Sequence, residues 1–207
     1  MRSAGLESRV LRVGQLVGDS KVGEWNITEG IPLMIQTAET LGSLPALDEE
    51  MSWLPVDYAA SIILDIVQVM DPNTGNQPYQ SNPETGAEIV YHVLNPVRFH
   101  WTRQMLPALR TSGLKFKTLS TDQWMELLRA SPRDPKRNPP IKLLDWFESK
   151  YGCKANPNNR GGLVYLTEKT KKVSRTVECV LDVTSVEFVK KIVKRLRIHW
   201  GNDKSEA

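Results

Sequence analysis

The first apolar run of this chain, Arg9-Val10-Leu11-Arg12-Val13, is short and β-branched, ends at Gly14, and runs on into a glycine-punctuated stretch rather than a helix. No other feature constrains the fold as much. A complete nucleotide-binding α/β domain feeds its first strand through a glycine-rich turn straight into a helix, because backbone amides and the helix dipole converge on a pyrophosphate at such an N-terminus. Gly14-Gln15-Leu16-Val17-Gly18 is spaced differently from GxGxxG and leads into a loop that also holds Gly23. The sequence has no GxxxxGK[ST], GxSxG or HExxH run. A strand is expected here without a phosphate cradle behind it.

Helices dominate the rest of the chain. Pro32 can open one, with Leu33, Ile35, Ala38 and Leu41 carrying an apolar pattern to a stop at Gly42. Pro55 opens a second, in which Val56, Ala59, Ile63, Ile66, Val67 and Met70 recur at three- and four-residue spacing. The Pro-, Asn- and Gly-dense stretch 71–86 reads as a loop, and Glu88–Leu94 as a buried strand closed by Asn95-Pro96. A helix is expected from Trp101 to Leu109, broken or restarted at Pro107, and another after the capping box Ser120-Thr121-Asp122-Gln123. Prolines 132, 135, 139 and 140 end that helix. Pro140 can itself begin a helix over Ile141–Tyr151, with Leu143, Leu144, Trp146 and Phe147 inward and Gly152 as its stop. After a polar loop over 154–162, the last helix starts at Thr184, with Glu187 three residues on. Val186, Val189, Val193, Leu196 and Trp200 form its apolar side.

Lys and Arg number 27 against 24 Asp and Glu, a net charge of +3 that points to neither nucleic acid nor membrane as a partner. No window approaches eighteen apolar residues and the N-terminus lacks a secretory apolar stretch, so a cytoplasmic protein is expected. Cys153 and Cys179 form no CxxC pair and are expected to be reduced thiols. His92, His100 and His199 are scattered without companions at ligand spacing, so no metal site is expected. Tyr165 and Lys169 stand four apart, the spacing at which a lysine lowers a tyrosine's pKa on one helix face, but five tyrosines among common lysines supply such a pair by chance.

Five stretches occur in one order across most of the chain: Arg9–Asp19, Gly23–Asn26, Trp53-Leu54-Pro55-Val56-Asp57, Tyr91-His92-Val93-Leu94-Asn95-Pro96 and Lys142-Leu143-Leu144-Asp145-Trp146-Phe147. Together they resemble the terminal thioester reductase domains of fungal nonribosomal-peptide-synthetase-like enzymes, including adenylate-forming carboxylic acid reductases, which are extended short-chain dehydrogenase relatives. In that family a carrier-bound thioester is reduced with NADPH to an aldehyde or alcohol. Its N-terminal part supplies the glycine-rich cofactor turn and a Ser/Thr, Tyr and Lys catalytic set. The resemblance implies that this chain starts after all of those. It implies an α/β fold in which an incomplete Rossmann-type sheet remnant is joined to a mostly helical C-terminal substrate-binding region, one domain over 1–207 divided into 1–96 and 97–207. The function implied is binding of an acyl or thioester substrate in secondary metabolism, without unaided reduction and without a cofactor unless a missing half supplies NADPH. A cofactor-independent cyclase or isomerase acting on a polyketide or peptidyl intermediate remains open, as does a noncatalytic carrier-binding module. A carrier-bound or free acyl substrate, an acyl or peptidyl carrier domain and a second copy of the chain are the expected partners.

The candidate residues each have a plainer reading. Gln15, at a sheet edge, can bind a carbonyl or tie down its own turn, and Leu16 beside it is a candidate substrate contact. Trp25 can wall an acyl pocket or simply cover core. Asp57, in a helix's first turn, suits the dipole there. Tyr91 and His92 face opposite sides of one strand; Tyr91 is a substrate-contact candidate and His92 the acid/base candidate. Asn95 can donate to a carbonyl oxygen or serve a turn. Lys190, Lys191, Lys194 and Arg195 lie away from the last helix's apolar side, as a solvated face or as a docking surface for an acidic carrier domain.

Overall fold

A computed structural model describes residues 9–68, 90–152 and 164–202. They fall into two compact units, each assembled from three stretches of chain: the first ends its stretches at Ser20, Arg98 and Val183, and the second takes up from Lys21, Phe99 and Thr184.

In the first unit, strand β1 (Val10–Val13) pairs in parallel with β6 (Val90–Val93), and β2 (Gln15–Val17) with β5 (Trp53–Pro55). β1 and β2 are one extended run interrupted at Gly14, so extended structure continues where the glycine spacing suggested a loop. The break has a steric cause. Gly14 N–H donates to Val93 O at 2.9 Å, and a Cβ on Gly14 would lie 2.9 Å from the Leu94 Cβ. Helix α2 (Val56–Gln68) buries Ala59, Ile62 and Ile66 against Leu54, Tyr91, Val93 and Val177. Its apolar stripe is therefore rotated from the expected one: Ile62 is fully buried while Val56 and Val67 face solvent, and Met70 lies outside the described residues. Helix α6 (Glu168–Val173) and a 3-10 turn over Arg175–Cys179 pack on α2. Asp65 on α2 accepts hydrogen bonds from the Ser174 and Thr176 hydroxyls.

The second unit holds helices α1 (Gly30–Thr40), α3 (Leu106–Thr111), α4 (Thr121–Ala130), α5 (Leu144–Tyr151) and α7 (Val186–Asn202). Strand β3 (Ser43–Pro45) pairs in parallel with β8 (Lys117–Leu119), and β4 (Glu50–Met51) antiparallel with β7 (Phe99–His100). Pro107 restarts a helix as expected: a π-helical turn over Trp101–Met105 gives way to α3, with the proline at its start, where a missing N–H costs nothing. The capping box is formed, Gln123 N donating to Ser120 Oγ at 3.2 Å and Ser120 N to Gln123 Oε1 at 3.3 Å. At α7 the cap moves one residue on: Ser185 Oγ, not Thr184, accepts from Phe188 N. Trp146 is 42% exposed rather than inward; Leu144, Phe147 and Tyr151 carry the buried face of α5. Burial pushes the Tyr151 phenol well above the ordinary tyrosine range, so it stays neutral.

His100 closes the N-terminus of the π turn. Its Nδ1 accepts from Arg103 N at 3.2 Å, which leaves the proton on Nε2, 2.8 Å from Asp48 Oδ1. That hydrogen bond, with the positive charge of Arg103 nearby, holds the Asp48 carboxyl below the usual carboxylate range. A depressed carboxyl pKa contributes stability that is complete above the unfolded value, near 3.9, and is lost as pH falls through the folded value. An Asp48→Asn variant is therefore expected to differ from the parent in thermal midpoint at pH 6 and to converge with it in strong acid; a difference constant with pH would show that the pair is not the cause.

Candidate functional site

In the second unit, the four-proline segment becomes a wall rather than a mere helix stop. Asn138, buried, donates through Nδ2 to Ser131 Oγ at 2.7 Å and to Pro132 O at 3.1 Å, while the Asp134 carboxylate and carbonyl accept from the backbone of residues 136 to 138. The segment is thereby fixed opposite α1. Between them opens a cleft of about 670 Å³ whose apolar walls include Ile27, Leu33, Pro135, Pro139 and Leu143.

Gln36 is the polar group inside that setting. It is 6% exposed, lines the cleft, and its side-chain amide makes no hydrogen bond among the described residues. Its amide is not among the occluded polar atoms, so it meets the solvent of the cleft and is available to a ligand. Lys136 and Lys142 also line the cleft and make no ion pair among the described residues. Thr28 and Asp134 line it too, so apolar walls, an amide that both donates and accepts, and two lysines against one carboxylate make a binding site for an elongated, partly polar molecule with room for one anionic group. No paired acid and base converge there. The sequence signal was present: Gln36 and Thr37, between Leu33 and Ala38, interrupt the otherwise apolar buried stretch of α1.

The first unit gathers a second cluster. Tyr91 and His92 face opposite sides of β6, as strand geometry requires, Tyr91 in the core and His92 partly exposed. The His92 ring packs on Tyr165, centroids 5.1 Å apart, and its Nδ1 lies 2.9 Å from Leu166 O. Nδ1 therefore carries the proton, and Nε2 is left buried with no partner. Lys169 Nζ sits 4.7 Å above the Tyr91 ring, not beside Tyr165, which precedes α6. So the Tyr165–Lys169 spacing forms no helical pair, while both residues contact the Tyr91-His92 strand.

Other expected residues are spent locally. Asn95, 1% exposed, donates through Nδ2 to Trp53 O at 3.0 Å and accepts on Oδ1 from Val97 N at 2.9 Å. Its amide joins two backbone segments, the structural role open to it from the sequence. Gln15 Nε2 donates to the Leu16 carbonyl at 2.7 Å, and Leu16 packs on the core of the first unit. Asp57 accepts from Ser20 N at 2.9 Å and Ser20 Oγ at 2.6 Å, pinning the loop after β2. Trp25 is buried in the second unit and donates to Glu29 Oε2 at 3.2 Å; Ile27 and Thr28, just beyond it, reach the cleft instead. Of the basic group on α7, Lys191 pairs with Glu187 at 3.2 Å and Arg195 with Glu24 at 2.6 Å, while Lys190 and Lys194 meet no carboxylate among the described residues. Cys179 is a free, exposed thiol, and Cys153 lies outside the described residues. Among the described residues no three His, Cys, Asp or Glu converge on a common point, and no helix is long and apolar enough to cross a membrane.

No protein-family profile matches the sequence. Over 94% of its length the chain is 32% identical to the adenylate-forming reductase stbB of Stachybotrys bisbyi, and over 89% of its length 30% identical to the non-reducing polyketide synthase pigA of Monascus ruber. It spans only 16% and 6% of those proteins. Among solved structures, the terminal R domain of the myxalamid PKS-NRPS pathway superposes with a TM-score of 0.70 at 23% identity, covering 97% of this chain and 46% of that one. A thiolation-reductase di-domain from an archaeal non-ribosomal peptide synthetase gives 0.62 at 17% identity, with 96% and 37% covered. These likenesses fix the fold, a partial Rossmann-like α/β arrangement. The sequence matches to the fungal adenylate-forming reductase and polyketide synthase, together with this fold, support a thioester reductase-like C-terminal domain.

Proposed function

We propose that the chain is the acyl-binding C-terminal part of a thioester reductase of secondary metabolism, and that it does not carry out NADPH-dependent reduction unaided. The cleft in the second unit carries this reading: apolar walls for an acyl chain, the Gln36 amide for a carbonyl or amide along it, and Lys136 and Lys142 for an anionic end. The absence of a GxGxxG turn from the sequence supports the second half of the proposal. The substrate is carried on an acyl or peptidyl carrier domain or arrives free, and the basic face of α7 is the carrier's docking surface.

Calorimetric titration with an acyl-pantetheine thioester tests the cleft. The parent is expected to bind saturably, and Leu33→Trp, which fills the cleft, to weaken binding by about tenfold or more. Equal affinity for parent and variant places the acyl group elsewhere. In a parallel titration NADPH fluorescence should show no submicromolar saturation; tight binding would restore redox chemistry to this chain.

The unpartnered Nε2 of His92 favours a second reading, cofactor-independent cyclisation or isomerisation with His92 as base. Turnover of a polyketide thioester without NADPH, abolished in His92→Gln, would select it. No turnover under any condition leaves a noncatalytic carrier-binding module.

A further inference from the structure

Helix α7 presents two basic stripes that are paired to different extents. Lys191, Arg195 and His199 recur every four residues and are neutralised within the unit: Lys191 by Glu187 at 3.2 Å, and Arg195 and His199 by the two oxygens of Glu24, each at 2.6 Å. Lys190, Lys194 and Arg197 form the neighbouring stripe. With Ser112, Val193 and Ile198 they line a depression of about 390 Å³ beside the C-terminus of α3.

In that depression the two lysines meet no carboxylate among the described residues, while the arginine is paired. Lys190 and Lys194, one turn apart, have no ion pair among the described residues, and like charges at that spacing repel. Arg197 is held at two points, Nε to Glu39 Oε1 at 3.1 Å and Nη2 to Gly113 O at 2.9 Å, which fixes its guanidinium plane. Gly113 permits that approach with φ +100°, a conformation suited to glycine, and a Cβ there would sit 3.5 Å from Arg197 Nη1. The Ser112 hydroxyl is occluded from solvent and has no partner. Solvent is the usual surrounding of an exposed lysine. That does not account for the orphaned hydroxyl beside two lysines that meet no carboxylate among the described residues.

We propose that this depression is an oxyanion site that takes a phosphate ester. Lys190 and Lys194 supply mobile positive charge and Arg197 a fixed planar donor; the Ser112 hydroxyl, occluded as it stands, becomes a neutral donor once rotation about χ1 turns it into the depression. Two lysine cations without a carboxylate partner among the described residues, beside an arginine already paired with Glu39, favour a dianionic or multiply accepting group over a single carboxylate. The one carboxylate at its edge, Glu39, is committed to Arg197. The site stands on α7 and α3 alone and does not depend on what occupies the cleft. It also narrows the carrier-docking surface to Lys190 and Lys194 within the basic group.

Isothermal titration at low ionic strength with inorganic phosphate tests it. The parent should bind saturably, with affinity falling as salt is added. The exposed double substitution Lys190→Gln with Lys194→Gln should weaken binding by about tenfold or more, Ser112→Ala by roughly threefold, and Lys191→Gln, on the neutralised stripe, by less than about twofold. Circular dichroism verifies that α7 persists in each variant. Undetectable binding by the parent, equal affinity in the double variant, or an equal loss in Lys191→Gln overturns the proposal. Titration with 4′-phosphopantetheine and with its serine phosphodiester then identifies the source. Binding of the diester points to a phosphopantetheine arm tethered to a protein; binding of the monoester alone points to a free metabolite.

Discussion

Replacing Trp124 by alanine is expected to remove about 3–5 kcal/mol from the stability of the second unit, the range for truncating a fully buried large aromatic. Trp124 is completely buried on α4, its ring edge-on to Phe147 with centroids 5.2 Å apart. Its indole N–H donates to Thr37 Oγ1 at 3.1 Å, and that hydroxyl lies within hydrogen-bond reach of both the Met34 and the Ser43 carbonyls. Alanine would leave a cavity among α1, α4 and α5 and take one member from a buried polar chain. Denaturation is not two-state when a chain has two compact units, so amide hydrogen exchange on α1 and α4 is the right measure. Protection there should fall sharply while that on α2 and β6 is retained. A companion Thr37→Val, near the same volume, should cost about 1–3 kcal/mol by orphaning the indole N–H. Loss of protection below about 1 kcal/mol in Trp124→Ala would mean that the site collapses around the missing ring.

Trp124 also shows how much of the fold is legible in the residues alone. The capping box before it and the apolar positions Trp124 and Leu128 locate α4 correctly, because a cap is a local hydrogen-bonding pattern that needs no tertiary partner. The hydroxyl that Trp124 meets lies 87 residues away, and no local pattern announces such a pairing. α2 makes the same point from the other side. Its helical period is legible, but which of two adjacent stripes turns inward depends on β6 and on the turn over Arg175–Cys179. Gly14 has the local signature of a strand end, yet the backbone remains extended beyond it. The glycine marks where one run exchanges its partner β6 for β5, and only Leu94 pressing on that position reveals it.

The candidate site is legible in the same uneven way. Alternation alone separates Tyr91 and His92 onto two sides of a strand, whereas the contacts of Tyr165 and Lys169 with that strand come from folding. The cleft escapes a sequence reading because its two walls are about one hundred residues apart and each has a local explanation, a helix face and a proline-rich stop. Gln36 is the available clue. A polar side chain on an apolar face is either a buried hydrogen-bonding link, as Thr37 is, or a group held open for something else.

Asn95→Ala is expected to lower the stability of the first unit by about 1–3 kcal/mol, since it orphans the buried Trp53 carbonyl and removes the acceptor of Val97 N. The Asn95 side chain donates to Trp53 O and accepts from Val97 N, and its own carbonyl accepts from Ser52 Oγ at 2.7 Å. These bonds join the strand β5 and the turn after β6, two stretches more than forty residues apart in sequence, at the place where Pro96 stops the strand. Asparagine is suited to this because one side chain offers both a donor and an acceptor; aspartate lacks the donor for Trp53 O, so Asn95→Asp should be nearly as damaging as alanine. A catalytic asparagine behaves differently: its loss leaves hydrogen exchange on β5 and β6 unchanged and removes turnover alone. Faster exchange at Trp53, Leu54 and Val93 amides in both variants, with acyl-pantetheine affinity of the second unit preserved, is the expected pattern. Unaltered exchange with weakened acyl binding would make Asn95 a ligand contact after all.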